Sequence, residues 1–382
     1  MVVAEETKLS DRVKRLKESL IERSPLVDTE RLKFLLEVYS ETDGEPVIIR
    51  RAKLFDRILS QKTIYIDENP IVGTETRSRG GLSPYPESSC RWMRKESEFF
   101  FHLGSTRFTE EDKELVDRAV DCWQGRCVYS RTREIMRQAH PNRPDSAWLG
   151  KTGVYFDLFV GEPLGPSLLD YEKLLKKGIR GIIAEVAEER AKLSLGSVEA
   201  QRKTYFYEAV LICLKAAVKF ARRYASLARA MAEKEPNLER KKELLRIAET
   251  CEWVPENPTR DFREAVQSYW FAHVMAFIEC PALNIVVGRL PQYLYPFYRR
   301  DKEEGRITDE EVIELLEFLF IKHLEYGVFR AGVAFGGNSG NTVQNITLSG
   351  VTPDGMAAGR EGDRLLLETQ RRLRVIQPSL SI

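Results

Sequence analysis

Four histidines, six cysteines and one tyrosine-rich segment are the residues of this chain best equipped for chemistry. Their spacing narrows what that chemistry is. His102, His140, His273 and His323 stand at none of the His-x-x-x-His or His-x-His intervals that turn two imidazoles toward one metal. No metal site is expected, and each histidine is read as structural or surface-lying. Cys90, Cys122, Cys127, Cys213, Cys251 and Cys280 contain no Cys-x-x-Cys pair, which fits reduced thiols better than a disulfide or zinc framework. Cys213 lies inside the apolar run 210–214 and reads as a core residue. There is no Gly-x-Ser-x-Gly elbow and no phosphate loop: the glycine-rich run 336–341 lacks a following Lys-Ser/Thr and precedes a strand-like segment instead of a helix. It reads as a plain loop.

The segment 288–301, Gly-Arg-Leu-Pro-Gln-Tyr-Leu-Tyr-Pro-Phe-Tyr-Arg-Arg-Asp, is more informative. Its phenols and its glutamine need both a large interior to pack in and polar partners for their hydrogen-bonding atoms. Arg289, beside them, reads as an anchor for a helix end or a carboxylate. Asp309, Glu310, Glu311, Glu314 and Glu317 read as a solvated face whose first-turn acids complement a helix dipole.

The elements that must hold these residues are mostly helices. Val13, Leu16 and Leu20, then Leu32, Leu35, Leu36 and Tyr39, recur at helical spacing, so the first 60 residues predict three helices. A short strand is predicted at 63–67, followed by a Gly/Ser/Pro-rich loop to Glu87. Thr109 with Asp112 predicts a capped helix carrying Leu115, Ala119 and Trp123 inward, and Thr308 with Glu311 predicts a capping box. A loop-rich stretch covers 141–167. Long helices are predicted over 168–193 and 204–235, the second with Tyr207, Leu211, Leu214, Val218 and Ala225 on its buried face. Charged 237–246 opens the next helix, and 261–279, with Phe262, Val266, Trp270, Phe271 and Val274, predicts burial on most sides. Strand-like 343–348, a helix at 365–373 and strand-like 377–382 then follow the grammar of a β/α unit with parallel strands.

At 382 residues the chain exceeds a single small core, so two domains or one large α/β barrel are expected. Its 59 basic and 58 acidic side chains leave a net charge of +1 without long like-charge runs, which argues against nucleic acid as a partner. No apolar stretch is long enough for a bilayer, and the acidic start Met-Val-Val-Ala-Glu-Glu-Thr-Lys does not read as a secretory signal, so a cytoplasmic location is expected.

Several separated blocks together resemble the large N-terminal domain of the glycyl radical enzymes of the pyruvate formate-lyase and glycerol dehydratase group. They are Gly-Glu-Pro-Val-Ile-Ile-Arg-Arg-Ala at 44–52, Ile71-Val72-Gly73 with Tyr85-Pro86-Glu87, and Asp170-Tyr171-Glu172-Lys173 running on to Gly178. Glu264-Ala265-Val266-Gln267 with Trp270-Phe271, the segment 288–301, Gln344-Asn345-Ile346-Thr347-Leu348 and Gln377-Pro378-Ser379-Leu380-Ser381 continue the series in order. The resemblance implies a helix-rich α/β fold, the N-terminal half of a ten-stranded β/α barrel, with 1–382 as one pyruvate formate-lyase-like domain: a helical shell over 1–280 and barrel units over 281–382. It also implies a lyase of anaerobic metabolism, in which a glycyl radical oxidises a central cysteine whose thiyl radical abstracts hydrogen from a small substrate. The implied partners are a separate activating enzyme using S-adenosylmethionine and an iron–sulfur cluster, and a second copy of the chain or a C-terminal half.

Family members are about twice as long, and none of the six cysteines here sits in the context of the catalytic one, so no catalytic residue, bound cofactor or metal is assigned to this stretch. The substrate-facing positions of the diol-dehydratase branch align with Pro166, Leu283 and Asn284, with Val343 nearby. Proline, leucine and valine offer a polyol no hydrogen bond, and an unpaired buried hydroxyl costs about 1–3 kcal/mol, so a less polar or aromatic substrate is expected. Pro70, Pro291 and Arg360 also depart from the usual pattern. Two other readings stand beside the lyase: a non-catalytic paralogue or scaffold subunit that keeps the helical shell, and an unrelated α-helical binding protein, which would require that no parallel strands follow Asn341 and Gln377.

Overall fold

The computed structural model describes residues 9–22, 26–139 except 103–107, 141, 167–194, 196–279, 285–329, 344–352, 354–358 and 361–382. The N-terminal helices are α1 (Asp11–Ile21), α2 (Glu30–Glu41), α3 (Val47–Gln61), α4 (Met93–His102), α5 (Glu110–Trp123) and α6 (Val128–Ala139), with strands β1 (Leu26–Val27) and β2 (Gly81–Leu82) among them. Then come β3 (Ser167–Leu168), α7 (Tyr171–Ala191), α8 (Val198–Lys234), α9 (Leu238–Trp253), α10 (Phe262–Glu279) and β4 (Ile285–Val286). The chain continues through α11 (Leu290–Glu303), α12 (Asp309–Leu324), β5 (Asn345–Thr347), α13 (Glu361–Leu373) and β6 (Ser379–Ser381).

Helix starts follow side-chain chemistry legible in the sequence. The predicted boxes at Thr109/Asp112 and Thr308/Glu311 both form, each pairing two otherwise orphaned amides. Ser10, Asp170, Ser197 and Asn237 cap α1, α7, α8 and α9 in the same manner. Because Ser197 accepts the Ala200 amide, α8 begins at Val198 and not near Thr204. Its buried stripe also differs from the expected one. Ala209, Ala216, Ala217, Phe220, Ala221, Tyr224, Ala225, Ala228 and Ala232 are buried, whereas Tyr207, Leu211, Leu214 and Val218 are only half-buried. Small side chains let α3 and α9 pack closely along this helix, so proximity decides the face more than side-chain size.

Two further expectations are corrected. Residues 63–67 form no strand, since Thr63 gives its amide and hydroxyl to Glu30, and Asp67 and Asn69 take the amides of Asn69 and Ile71. Side chains have taken the groups a ladder would use. The helix predicted from Leu168 starts at Tyr171, and it is broken at Gly178, where φ is 64°. There the 255–256 backbone docks onto the chain, with Ile179 and Arg180 donating to Pro255 and Glu256 at 2.9 Å.

All described strand pairs are parallel. Ser167 faces Ile285, Gly288 faces Ile346 and Asn345 faces Ser379, giving the order β3-β4-β5-β6 with helices in every crossover. A second array runs from β1 through β2 to Val328. Parallel pairing of 345–347 with 379–381 is the observation that the unrelated helical reading forbids. Buried on nearly every side, α10 forms the central post as expected, and apolar α12 packs beside it. One acid on α12 breaks the predicted solvated face: Glu317 is 2 % exposed. Burial raises its carboxyl to about 7.

Candidate functional site

Pro166, Leu283, Asn284 and Val343 lie outside the described residues, as do His140, Cys280 and the run 336–341. Strands β3 and β4 and residue Gln344, which follow the first three sites and Val343 in sequence, are described, and behind them stands a buried polar network that spacing alone did not disclose.

The post α10 places Tyr269 and His273 one turn apart, and α12 brings His323 to them, with the two imidazole centroids 4.9 Å apart. Gln344, at the entrance to β5, inserts its amide between the rings. His273 Nε2 lies 2.7 Å from Gln344 Oε1, and His323 Nδ1 contacts the same oxygen. On the outer nitrogens, Tyr171 Oη lies 2.8 Å from His273 Nδ1 and Tyr269 Oη lies 3.1 Å from His323 Nε2. An amide oxygen only accepts, so both imidazoles donate to it, and both must accept from the phenols. The chain therefore runs Tyr171 O–H to His273 to Gln344 and, from the other side, Tyr269 O–H to His323 to Gln344. Gln344 Nε2 donates to the His323 carbonyl at 3.2 Å, which fixes the amide orientation. Both histidines are held neutral, and burial drives the same way: it pulls His273 down to about 4 and His323 well below its usual range. Burial also pushes both phenols up.

Further aromatic rings pack around this network. Tyr293 stacks on Tyr171 at 5.6 Å and donates to the Val287 carbonyl at 3.1 Å, tying α11 to the exit of β4. Trp270 stacks on Tyr326 at 5.3 Å and gives its indole N–H to the Gly73 carbonyl at 2.9 Å. Gln267 bonds Val72 through both amide and carbonyl at 2.7 and 2.9 Å. The blocks Ile71-Val72-Gly73 and Glu264-Ala265-Val266-Gln267, both part of the family resemblance, thus turn out to be one joint. Beyond Tyr326 lies Glu75, raised by burial to about 8, whose Oε2 and the Tyr326 hydroxyl have no hydrogen-bond partner among the described residues. Its other oxygen accepts from Tyr85 at 3.2 Å.

Arg289 anchors neither a helix end nor a carboxylate but a turn: Nη1 donates to the Val351 carbonyl at 3.1 Å, and Gln292 donates to Ser349 at 2.9 Å. The segment 288–301 therefore fastens β4 to the turn after β5. Elsewhere, Cys90 and Cys127 are buried and hydrogen-bonded to each other, which raises the first thiol and lowers the second; Ser130, in the first turn of α6, also bonds Cys127. Cys213 packs against the core, and burial raises it to about 12. No cluster of three or more His, Cys, Asp or Glu side chains suited to a metal occurs among the described residues. No helix among them is long and apolar enough to cross a membrane.

The arrangement is a buried, neutral, donor-matched network behind parallel strands. It orients; at neutral pH it has no charge to give or take. Sequence reasoning missed it because the partners lie 50 and 71 positions apart for His273 with His323 and Gln344, counted from their numbers. The available signal was the i,i+4 pair Tyr269/His273 in the more apolar second half of the 262–279 helix.

Comparison with known proteins agrees with this architecture. The chain is 32% identical to an isethionate sulfite-lyase of Oleidesulfovibrio alaskensis over 98% of its own length and 46% of that protein's. It superposes with a TM-score of 0.89 and 31% identity on a structure from 1,2-propanediol dehydration in Roseburia inulinivorans, covering 99% of this chain and 45% of that one. A glycyl radical enzyme from Archaeoglobus fulgidus gives 0.84 at 30% identity, over 97% and 47% of the two chains. The chain spans about half the length of the curated relatives it matches. Residues 6–382 match the family described as pyruvate formate lyase-like, and with the parallel array and helical shell in agreement, the chain belongs to that family, the glycyl radical enzymes.

Proposed function

We propose that this chain is the N-terminal half-barrel of a glycyl radical lyase and forms the non-reacting wall of its substrate chamber. The observation that carries this reading is the four-strand parallel order β3-β4-β5-β6, backed by a neutral hydrogen-bonded network, in a chain of this family. The radical and the cysteine that it oxidises are supplied by the portion of the barrel outside this stretch, after activation by an S-adenosylmethionine-dependent iron–sulfur enzyme. What these residues contribute is exclusion and positioning. A thiyl radical is quenched by stray hydrogen-atom donors, so the wall must be closed and its O–H and N–H groups already committed. The Tyr171, His273, Gln344, His323 and Tyr269 chain meets that requirement, because each donor is engaged and neither imidazole carries a proton in excess.

Pro166, Leu283, Asn284 and Val343 are the proposed substrate-facing positions, and their apolar majority favours a substrate less polar than glycerol, cleaved at a C–C, C–O or C–N bond. An anaerobic, cytoplasmic homodimer is the form in which such an enzyme would work. The test is to produce the complete gene product anaerobically with an activating enzyme of the family and record its electron paramagnetic resonance spectrum. An organic radical that turns over a candidate substrate supports the lyase. A complete gene product with neither a glycine radical motif nor a radical signal overturns it in favour of the scaffold reading. Within an active enzyme, Leu283→His leaving substrate preference and KM unchanged would refute the pocket assignment.

A further inference from the structure

A sizeable open cleft lies away from the histidine network, between α1, α9, α10 and the loop at 68–71. It encloses about 900 Å³. That volume suits a small organic molecule. Six cations face it, Arg12, Arg15, Arg240, Lys242, Arg246 and Arg263, against four carboxylates, Glu68, Glu235, Glu239 and Glu243. The pairing is uneven. Arg12 holds Glu243 with two bonds at 2.9 and 3.0 Å, Arg15 holds Glu68 at 2.9 Å, Lys242 holds Glu239 at 2.8 Å, and Arg240 shares Glu243. Arg246 and Arg263 have no ion-pair or hydrogen-bond partner among the described residues.

Nearby acids relieve them only in part: Glu311, Asp261 and Glu243 attract Arg263, but burial and the Arg246 charge outweigh them. Glu311 is taken by the Thr308 cap at 2.9 Å, and Asp261 accepts the Glu264 amide at 2.8 Å. Arg263 also sits in the first turn of α10, where the helix dipole is positive and an arginine is disfavoured. It is half-buried, and burial together with the Arg246 charge depresses its guanidinium. Two guanidiniums without ion-pair partners, mutually repulsive and lining one cleft, with Arg263 in the first turn of α10, present the donors that an anion needs. Ile71, Ile247 and Leu315 give the same cavity an apolar floor.

We propose that this cleft binds a small organic anion, its phosphate or paired carboxylates held by Arg246 and Arg263 and its apolar body resting on Ile71, Ile247 and Leu315. The interleaved glutamates and the net charge of +1 disfavour a nucleic-acid strand. The proposal stands independently of the reaction catalysed.

The test is calorimetric titration of the full chain with AMP, inorganic phosphate, citrate and adenosine, alongside thermal unfolding. AMP or citrate should bind saturably and raise Tm, and whichever binds more tightly identifies phosphate or carboxylate as the recognised group; phosphate should bind weakly and adenosine not at all. Arg246→Gln, an exposed position, should weaken binding at least tenfold while leaving or raising the unliganded Tm, because it removes repulsion. Arg263→Gln should do the same, and Arg299→Gln, in an exposed ion pair outside the cleft, should change nothing. Absence of saturable binding by all the anions at millimolar concentration, or unchanged affinity in Arg246→Gln, would overturn the proposal.

Discussion

Replacing Gln344 by leucine is the sharpest test of the buried network. The leucine fills similar space but removes the oxygen into which His273 and His323 both donate, and the N–H that bonds the His323 carbonyl at 3.2 Å. Each stranded buried donor costs about 1–3 kcal/mol. Two of them give about 2–6 kcal/mol, and the added apolar burial returns about 1–2 kcal/mol, so a net loss of about 3 kcal/mol is expected. Chemical denaturation followed by tryptophan fluorescence measures it, since Trp270 packs against both rings. Gln344→Glu is the internal control, because it keeps the acceptor and adds a charge that favours protonated imidazole. It should raise the pKa of His273 and His323, visible in histidine-selective ¹⁵N NMR, where the wild type should show His273 protonated on Nε2 and His323 on Nδ1. A loss below about 1 kcal/mol for the leucine variant, or the opposite tautomers, would refute the donor directions assigned to this chain.

Four further outcomes follow from the same physical terms. His273 falls from 6.5 to about 4 on folding, so its contribution is complete above pH 6.5 and is lost as pH falls toward 4; acid titration of stability should show an arm of about 3 kcal/mol that His273→Gln flattens. Glu317, raised from 4.5 to about 7, acts oppositely: its contribution is complete below pH 4.5 and is lost as pH rises through 7. Glu317→Gln should therefore match wild type at pH 5 and exceed it by about 1–3 kcal/mol at pH 8, measured by urea denaturation. Gly178→Ala should destabilise by about 3 kcal/mol or more in the same assay, since φ is 64° and a Cβ would stand 2.5 Å from the Glu256 carbonyl oxygen. Thr308→Ala should lose about 1 kcal/mol by opening the capping box of α12, with Thr308→Ser restoring most of it.

What the sequence disclosed and what it hid divide along the distance over which information acts. Thr109/Asp112 and Thr308/Glu311 are caps three residues long, and both were readable. The all-round apolarity of 262–279 likewise announced a buried post. Residues 63–67 look like a strand by composition, but Glu30, from another helix, captures the Thr63 amide, and no local pattern contains that fact. The face of α8 was misjudged because leucines appear more buried than alanines in a pattern, whereas close helix contact selects the alanines. Glu317 was hidden for the same reason: α13 covers it, and α13 lies some fifty residues on. The candidate site was legible as a neighbourhood, through the 288–301 segment and the Gln344 block, but not as a network. His273 and His323 gain meaning only when α10, α12 and the start of β5 converge.

The parallel array also has an outer boundary. Ser379 and Ser381 both direct their hydroxyls to Asn345 Oδ1 at 2.9 Å, which locks the register of β6 on β5, while the far side of β6 pairs with no strand among the described residues. A locked, unpartnered edge is a template for strand addition, whether by the neighbouring strand of a completed barrel or by another molecule. Any strand that adds in parallel at 379–381 therefore meets an edge whose register the two serines on Asn345 have already set.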